Sequence, residues 1–134
     1  MIYTASFFEE QHFGTDRLVS IAMEMPSWFE SGFSGRTIVV NELLQPTWNM
    51  VDSYKSGIMT VPEYRRHYRR FLYTRIEEYL YELENGRSGA KRALKILELE
   101  DGDTLLCWER YGQFCHRIIV ADLLTRNGVE VQRK

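Results

Sequence analysis

Apolar positions along this chain recur with two periods, and the switches between them mark out the elements. In residues 1–8, Ile2, Tyr3, Thr4 and the Phe7-Phe8 pair predict a first, central strand. A polar loop, residues 9–17, follows with His12, Gly14 and Asp16, and residues 18–22 predict a second short strand stopped by Pro26. Trp28 and Phe29 fall in a loop punctuated by Gly32 and Gly35, and residues 36–40 predict a third strand. Thr47 is placed to cap a short helix through Tyr54, with Lys55-Ser56-Gly57 as its cationic and glycine stop.

Helical spacing is clearest after Thr60, a capping residue followed by Pro62 in the first turn. Tyr64, Tyr68, Phe71, Leu72, Tyr79, Leu80 and Leu83 then recur at helical spacings, predicting one long helix to Asn85-Gly86. Ser88 opens another with Ala90, Ala93, Leu94 and Leu97 on one face, closing at Asp101-Gly102. Residues 103–108 form a run apolar on both faces, as in a strand covered from both sides. From Cys115, the stripe Ile119, Leu123 and Leu124 predicts a helix to Asn127-Gly128, and residues 129–131 a final strand.

Those last elements spell strand, loop, helix, strand, a unit whose strands run parallel with a right-handed crossover. The fold expected is therefore α/β: an open, mostly parallel sheet with helices on both faces, in a single compact domain over residues 1–134. A chain of 134 residues with 44% hydrophobic content is enough to fill one core. Its net charge of −2 excludes a generally basic nucleic-acid coat but leaves room for local basic faces. Two cysteines behind an N-terminus with no signal-like pattern argue against a disulfide scaffold and for a cytoplasmic location. No apolar run approaches the roughly 20 residues of a membrane helix, so no membrane partner is expected.

Chemistry concentrates in residues 105–117, where an apolar run, a polar turn with Gly112 and the triplet Cys115-His116-Arg117 precede the last helix. In an open α/β sheet, ligands bind outside the carboxyl ends of the strands, which is where the loop after Cys107-Trp108 lies. Cys107 and Glu109 point to one side of the strand. A helix start draws anions and would lower the pKa of a thiol at Cys115, helped by His116 or Arg117. Cys115 also aligns with Ile119 and Leu123, which fits a packed thiol, and Cys107 reads as a small core residue. Glu109 suits a general base, an acceptor for a ribose hydroxyl, or an ion-pair partner of Arg117.

Cysteine, histidine and glutamate are all zinc ligands, but the Cys-x7-Cys-His spacing matches no common structural zinc pattern. Adjacent side chains on a helix diverge by about 100°, which separates Cys115 from His116. No metal or other cofactor is expected, and a Cys107–Cys115 disulfide does not suit a reducing compartment.

A second feature is the run holding Arg65, Arg66, Arg69 and Arg70, whose i,i+4 pairs form either a nucleic-acid surface or a solvated face. His12 and Tyr3 reach the ligand edge if the first strand neighbours residues 105–108, as lid or pocket residues. Trp28, Phe29 and Trp48 read as core aromatics rather than a base-stacking platform.

Several of these residues together resemble a family. Tyr3-Thr4-Ala5-Ser6-Phe7, Val19-Ser20-Ile21 with Pro26-x-Trp28-Phe29, Tyr54-Lys55-Ser56-Gly57, Tyr64 and Tyr68 follow its order over nearly the whole chain. Above all, Leu105-Leu106-Cys107-Trp108-Glu109 with Phe114-Cys115-His116-Arg117 resembles domain-of-unknown-function family 488. The resemblance implies a compact α/β fold and a site of Cys107, Glu109, Cys115, His116 and Arg117, with Thr4 and Ser6 arriving from the first strand. It brings no assigned reaction. Ala22-Met23-Glu24 departs from the more polar or basic run of that family.

The function expected from site chemistry is an enzyme acting on, or binding, a phosphate-bearing ligand such as a nucleotide or nucleic-acid component. Arg117 and the helix N-terminus would hold the anion, Glu109 would handle a proton or hydroxyl, and Cys115 or His116 would assist. The alternatives are a non-catalytic nucleic-acid-binding or regulatory module using the 65–70 face, and a thiol-sensing domain. The sequence assigns no oligomeric state.

Overall fold

Short runs rich in β-branched and aliphatic residues pair edge to edge in the computed structural model, which describes residues 1–30 and 35–133. The strands are β1 (Ile2–Ser6), β2 (Leu18–Ser20), β3 (Ile38–Val40), β4 (Thr104–Cys107) and β5 (Val131–Gln132). Every neighbouring pair is parallel, in the order β3-β2-β4-β1-β5. The late strand β4 thus inserts between β1 and β2, with Leu106 opposite Ala5 and Leu105 opposite Val19. All four of its residues are buried, which is why its sequence is apolar without alternation.

The helices are α1 (Ser27–Glu30), α2 (Trp48–Lys55), α3 (Val61–Ile76), α4 (Glu78–Glu84), α5 (Ala90–Ile96) and α6 (His116–Arg126). Side chains alternate across a strand, so the sheet has two apolar faces. Ile2, Val19, Leu105 and Cys107 share a core with Met50, Tyr64, Tyr68, Leu72, Leu83, Ala93 and Leu124, from helices α2 to α6. Ala5, Leu18 and Leu106 face the other way, under Phe7, Phe29 of α1, Phe13 and Met25. The predicted α/β sheet with helices on both faces is therefore present, with most helices on one face. None is long and apolar enough to cross a membrane among the described residues.

Local signals account for most helix starts. The Thr47 hydroxyl accepts the Met50 N–H at 3.2 Å and starts α2. Thr60 and Glu63 form a reciprocal capping box at α3, with Pro62 in the first turn. The single long helix predicted over residues 60–86 is broken at Glu77, whose φ of 49° swings α4 toward α6. No glycine or proline marks that break, because the buried stripe of Tyr64, Tyr68, Leu72, Ile76, Leu80 and Leu83 runs through it. The α4 end is held instead by Asn127, whose amide donates to the Leu83 carbonyl at 2.8 Å.

Other differences are smaller. Helix α5 stops at Ile96, short of Asp101-Gly102, because Glu98 turns to a φ of 58°. Strand β5 pairs through Val131 and Gln132, while Val129 closes the end of α6 by donating to the Leu124 carbonyl. Trp28 and Trp48 are 48% and 52% exposed, so of the three aromatics expected in the core only Phe29 is there. Trp28 and Phe29 lie in α1 rather than a loop, and Gly32, expected to punctuate that loop, lies outside the described residues.

At the amino ends of the strands, Arg17 donates to both Asp103 carboxylate oxygens, at 3.0 and 2.9 Å. Asp103 is fully buried and also accepts the Glu100 N–H. Nearby, Tyr3 packs so closely on Gly14 that a Cβ there would lie 2.4 Å from its ring, which ties the 9–17 loop over the sheet.

Candidate functional site

Strand β4 ends at Cys107, and the chain leaves the sheet through Trp108 and Glu109 before turning back at Cys115. Cys115 is the N-cap of α6, with extended φ and ψ of −154° and 156°. It therefore stands before the helix rather than in its first turn. The 100° separation expected for two adjacent helical residues does not apply, and Cys115 and His116 converge.

Their convergence is close. The Cys115 Sγ lies 3.5 Å from His116 Nδ1, and Cys107 Sγ lies 4.0 and 3.9 Å from the two ring nitrogens. The far nitrogen, Nε2, is 2.6 Å from the Ile21 carbonyl at the end of β2. A carbonyl only accepts, so Nε2 carries a proton, and in the neutral ring Nδ1 is left as an acceptor beside the Cys115 sulfur. The Tyr68 ring meets the imidazole edge-on at 5.4 Å and donates its own hydroxyl to the Leu44 carbonyl. Cys107, Cys115 and His116 are 1%, 5% and 5% exposed, and their ligand atoms lie within 4.8 Å of one another. Such a trio of soft donors is able to hold a metal ion.

Above the trio opens a hollow of about 310 Å³ at the carboxyl ends of β2 and β4. Trp48, Tyr54, Tyr64, Trp108 and Phe114 supply aromatic wall, Cys115 and His116 line it, and Glu24, Lys55 and Glu109 add charge. Tyr54, Tyr64 and Phe114 pack edge to face with centroids 5.5 to 5.7 Å apart. The Arg65 guanidinium backs the Phe114 ring at 5.4 Å, and the Trp108 indole N–H donates to the Glu24 carbonyl.

Three of the expected site residues, Glu109, Cys115 and His116, meet in this hollow, with Cys107 beside them. Burial pushes the Cys115 thiol well above its usual range, and the neighbouring Cys107 thiol pushes the same way. His116 lowers it, as expected, but is outweighed because the sulfur is out of water.

The remaining expected residues lie elsewhere. Arg117 is 2% exposed and turns away from the hollow. Its guanidinium donates to the carbonyls of Glu109 at 2.6 Å, Arg110 at 3.2 Å and Ala5 at 3.5 Å, so it clamps the loop to β1. Expected to bind an anion, it instead binds backbone. Thr4 joins Arg117 around a second cavity of about 330 Å³, floored by Ile118 and Ala121. Ser6 is fully buried, donates to the Trp108 carbonyl and accepts the Phe8 N–H. His12 sits on the 9–17 loop with its ring 6.2 Å from that of Tyr111, away from the hollow.

Of the four arginines on α3, Arg69 pairs with Glu84 at 2.5 and 2.8 Å, and Arg65 lies 3.6 Å from Asp122. Arg66 and Arg70 are exposed. The arginine face is thus partly neutralised by its own neighbours.

The aromatic wall is the part of the site that residue-by-residue reasoning misses. Its signal is positional, since Trp48 opens α2, Tyr64 sits in the first turn of α3, and Trp108 and Phe114 flank the loop after β4. No protein-family model, curated protein or solved structure matches the chain.

Proposed function

We propose that the hollow binds a nucleoside or nucleotide and that the protein acts on it there as an enzyme. The observation that carries this reading is the meeting of an aromatic wall and the Glu109 carboxylate in one hollow of about 310 Å³. That volume lies at the lower end of the range for small-molecule sites, roughly 300 to 1,000 Å³. A planar ring stacked on Trp48 or Trp108 gains about 1–3 kcal/mol per base, and stacking tolerates any base. Glu109 then accepts a ribose hydroxyl or a ring N–H and takes a proton from it when the bound group reacts. The Cys115 thiol and the His116 imidazole lie on the same wall, where burial disfavours a free thiolate nucleophile.

A phosphate would be met by Lys55 at the rim, in place of the Arg117 expected from sequence. Cys107, Glu109, Cys115 and His116 are four of the residues that the resemblance to family 488 implies for a site, whereas Arg117, Thr4 and Ser6, implied with them, do not line the hollow. Thermal unfolding with a panel of nucleosides and their monophosphates tests the reading. A ligand at 100 times its Kd stabilises the fold by about 2.7 kcal/mol. The rise in Tm should shrink in Trp48→Ala and Glu109→Gln, and a panel that gives no rise at all rules the reading out. Equal shifts from nucleosides and monophosphates would remove the phosphate and Lys55 from it.

A further inference from the structure

Burying two thiols and an imidazole against one another, at a wall that opens to solvent, is an arrangement with a specific use. We infer that Cys107, Cys115 and His116 form a three-ligand site for one divalent transition-metal ion of the zinc class, with its fourth coordination position opening into the hollow.

Four observations point the same way. The donors are soft, and thiolate with imidazole selects zinc and its neighbours over magnesium or calcium. Zinc–sulfur and zinc–nitrogen bonds of about 2.3 and 2.0 Å at a tetrahedral angle put sulfur roughly 3.5 Å from nitrogen. The Cys115 Sγ to His116 Nδ1 separation is 3.5 Å. The imidazole is already turned as a ligand, because Nε2–H is fixed on the Ile21 carbonyl and Nδ1 is left as the donor atom. Such a hydrogen bond from the second ring nitrogen is what orients metal-bound histidines. Lastly, Cys115 and His116 line the hollow while Cys107 lies behind them, so the three donors leave a side facing the hollow.

Cys107 needs one adjustment. Its sulfur stands almost equally far from both ring nitrogens, so it must turn about its Cα–Cβ bond toward Nδ1 to complete the set. On binding, each thiol releases a proton to solvent, and two thiolates balance the charge of the dication. That neutral product removes the penalty that a bare thiolate would meet in this buried position. The site extends the chemistry of the hollow. Only the use of the fourth position, for water or a ligand oxygen, rests on the hollow being the ligand site; the binding of the ion does not.

Cobalt(II) tests the proposal directly. The full chain, stripped with a chelator under reducing conditions, should take up one equivalent of Co(II) or Zn(II). The cobalt form should show a sulfur-to-metal charge-transfer band of two-thiolate intensity and the strong visible bands of a four-coordinate ion. Cys115→Ser and His116→Ala should weaken binding at least about 100-fold, and Cys107→Ser should halve the charge-transfer intensity. His67→Ala, which removes an exposed histidine on α3, should change nothing.

Where a ligand variant fails to fold by circular dichroism, the intact chain gives the second readout. Zinc uptake by it should release about two protons per ion, one from each thiol, read by pH titration. Uptake far below one equivalent, absence of the charge-transfer band, or uptake unchanged in Cys115→Ser and His116→Ala overturns the site. A chain that takes cobalt but shifts with no nucleoside overturns the ring-binding reading alone. One that shifts with a nucleoside after chelation but takes no cobalt overturns the metal site alone.

Discussion

The amino-terminal edge of the sheet joins Arg17 to Asp103 through two hydrogen bonds of about 3 Å, whereas the carboxyl-terminal edge gathers two thiols and an imidazole beside a hollow. One strand, β4, spans both, with Asp103 just before it and Cys107 at its end. At the first edge a fully buried carboxylate meets a partly exposed guanidinium that matches its geometry. At the second, the nearest arginine, Arg117, donates to three carbonyls and leaves the thiols and imidazole to one another. The difference separates stability from chemistry along a single strand.

The sharpest way to break that comparison is at Asp103. Asp103→Ala leaves Arg17 with only the exposed Glu100 carboxylate, 3.4 Å away, and frees the Glu100 N–H, and breaking a buried pair costs about 3–5 kcal/mol. The lower end, about 3 kcal/mol, is expected because Arg17 keeps 22% of its side chain in water. Urea unfolding measures the loss, and ligand or cobalt binding by the folded fraction should be unaltered. A loss under about 1 kcal/mol would show that the amino edge is not held by this pair.

Arg117→Ala comes next, and it tests whether the carboxyl edge needs its arginine for a ligand or for its own backbone. Removing charge-assisted bonds to the Glu109 and Arg110 carbonyls costs about 2 kcal/mol. Glu109 loses its fixed position with them, so ligand affinity falls alongside stability. Arg117→Lys should not restore either, since one ammonium does not reproduce the fork that reaches several carbonyls. An affinity loss that grows with the number of phosphates on the ligand, at unchanged stability, would instead make Arg117 an anion site.

These two arginines also show what the sequence could reveal. Residues with local partners are readable: Thr47 and Thr60 cap the helices they are placed to cap, and the unbroken apolar run of β4 announces a strand covered on both faces. The carboxyl edge was legible as a place, because Glu109, Cys115 and His116 do meet there. Their chemistry was less so. Cys115 takes an extended backbone one residue before α6, which no periodicity encodes, and that one residue turns divergence from His116 into contact. Arg117 reads as an anion ligand until the carbonyls of β1 and the loop are in view. Asp103 and Arg17 are 86 residues apart in sequence, so nothing local joins them. The Glu77 break is hidden because the buried stripe continues through it.

A smaller stability effect, with a large effect on binding, is expected from Trp48→Ala. Trp48 is about half exposed, so its loss should change unfolding by only about 1 kcal/mol. If it stacks on a ring, ligand affinity should fall by about 1–3 kcal/mol, or roughly 5- to 150-fold, read by titration calorimetry. An unchanged affinity would leave the hollow without its platform.

The smallest effect concerns how the wall of the carboxyl edge is hung. Tyr64 enters the hollow from the first turn of α3, directly after the Thr60–Glu63 capping box. The Thr60 hydroxyl, and after it the Thr60 N–H, hold the Glu63 carboxyl below its ordinary value. A carboxyl depressed in the folded state contributes stability that is fully present above its unfolded pKa, about 4.3, and is lost as pH falls through the folded value. Glu63→Gln does not titrate, so the stability difference between it and the parent chain should be constant near neutrality. It should then shrink as pH falls below about 4.3 and through the lower folded value. If Tyr64 hangs on this cap, ligand binding should weaken over the same interval in the parent chain and not in Glu63→Gln. The Arg17–Asp103 edge does not touch the cap, and a pH dependence of binding that survives in Glu63→Gln would have to come from groups in the hollow itself.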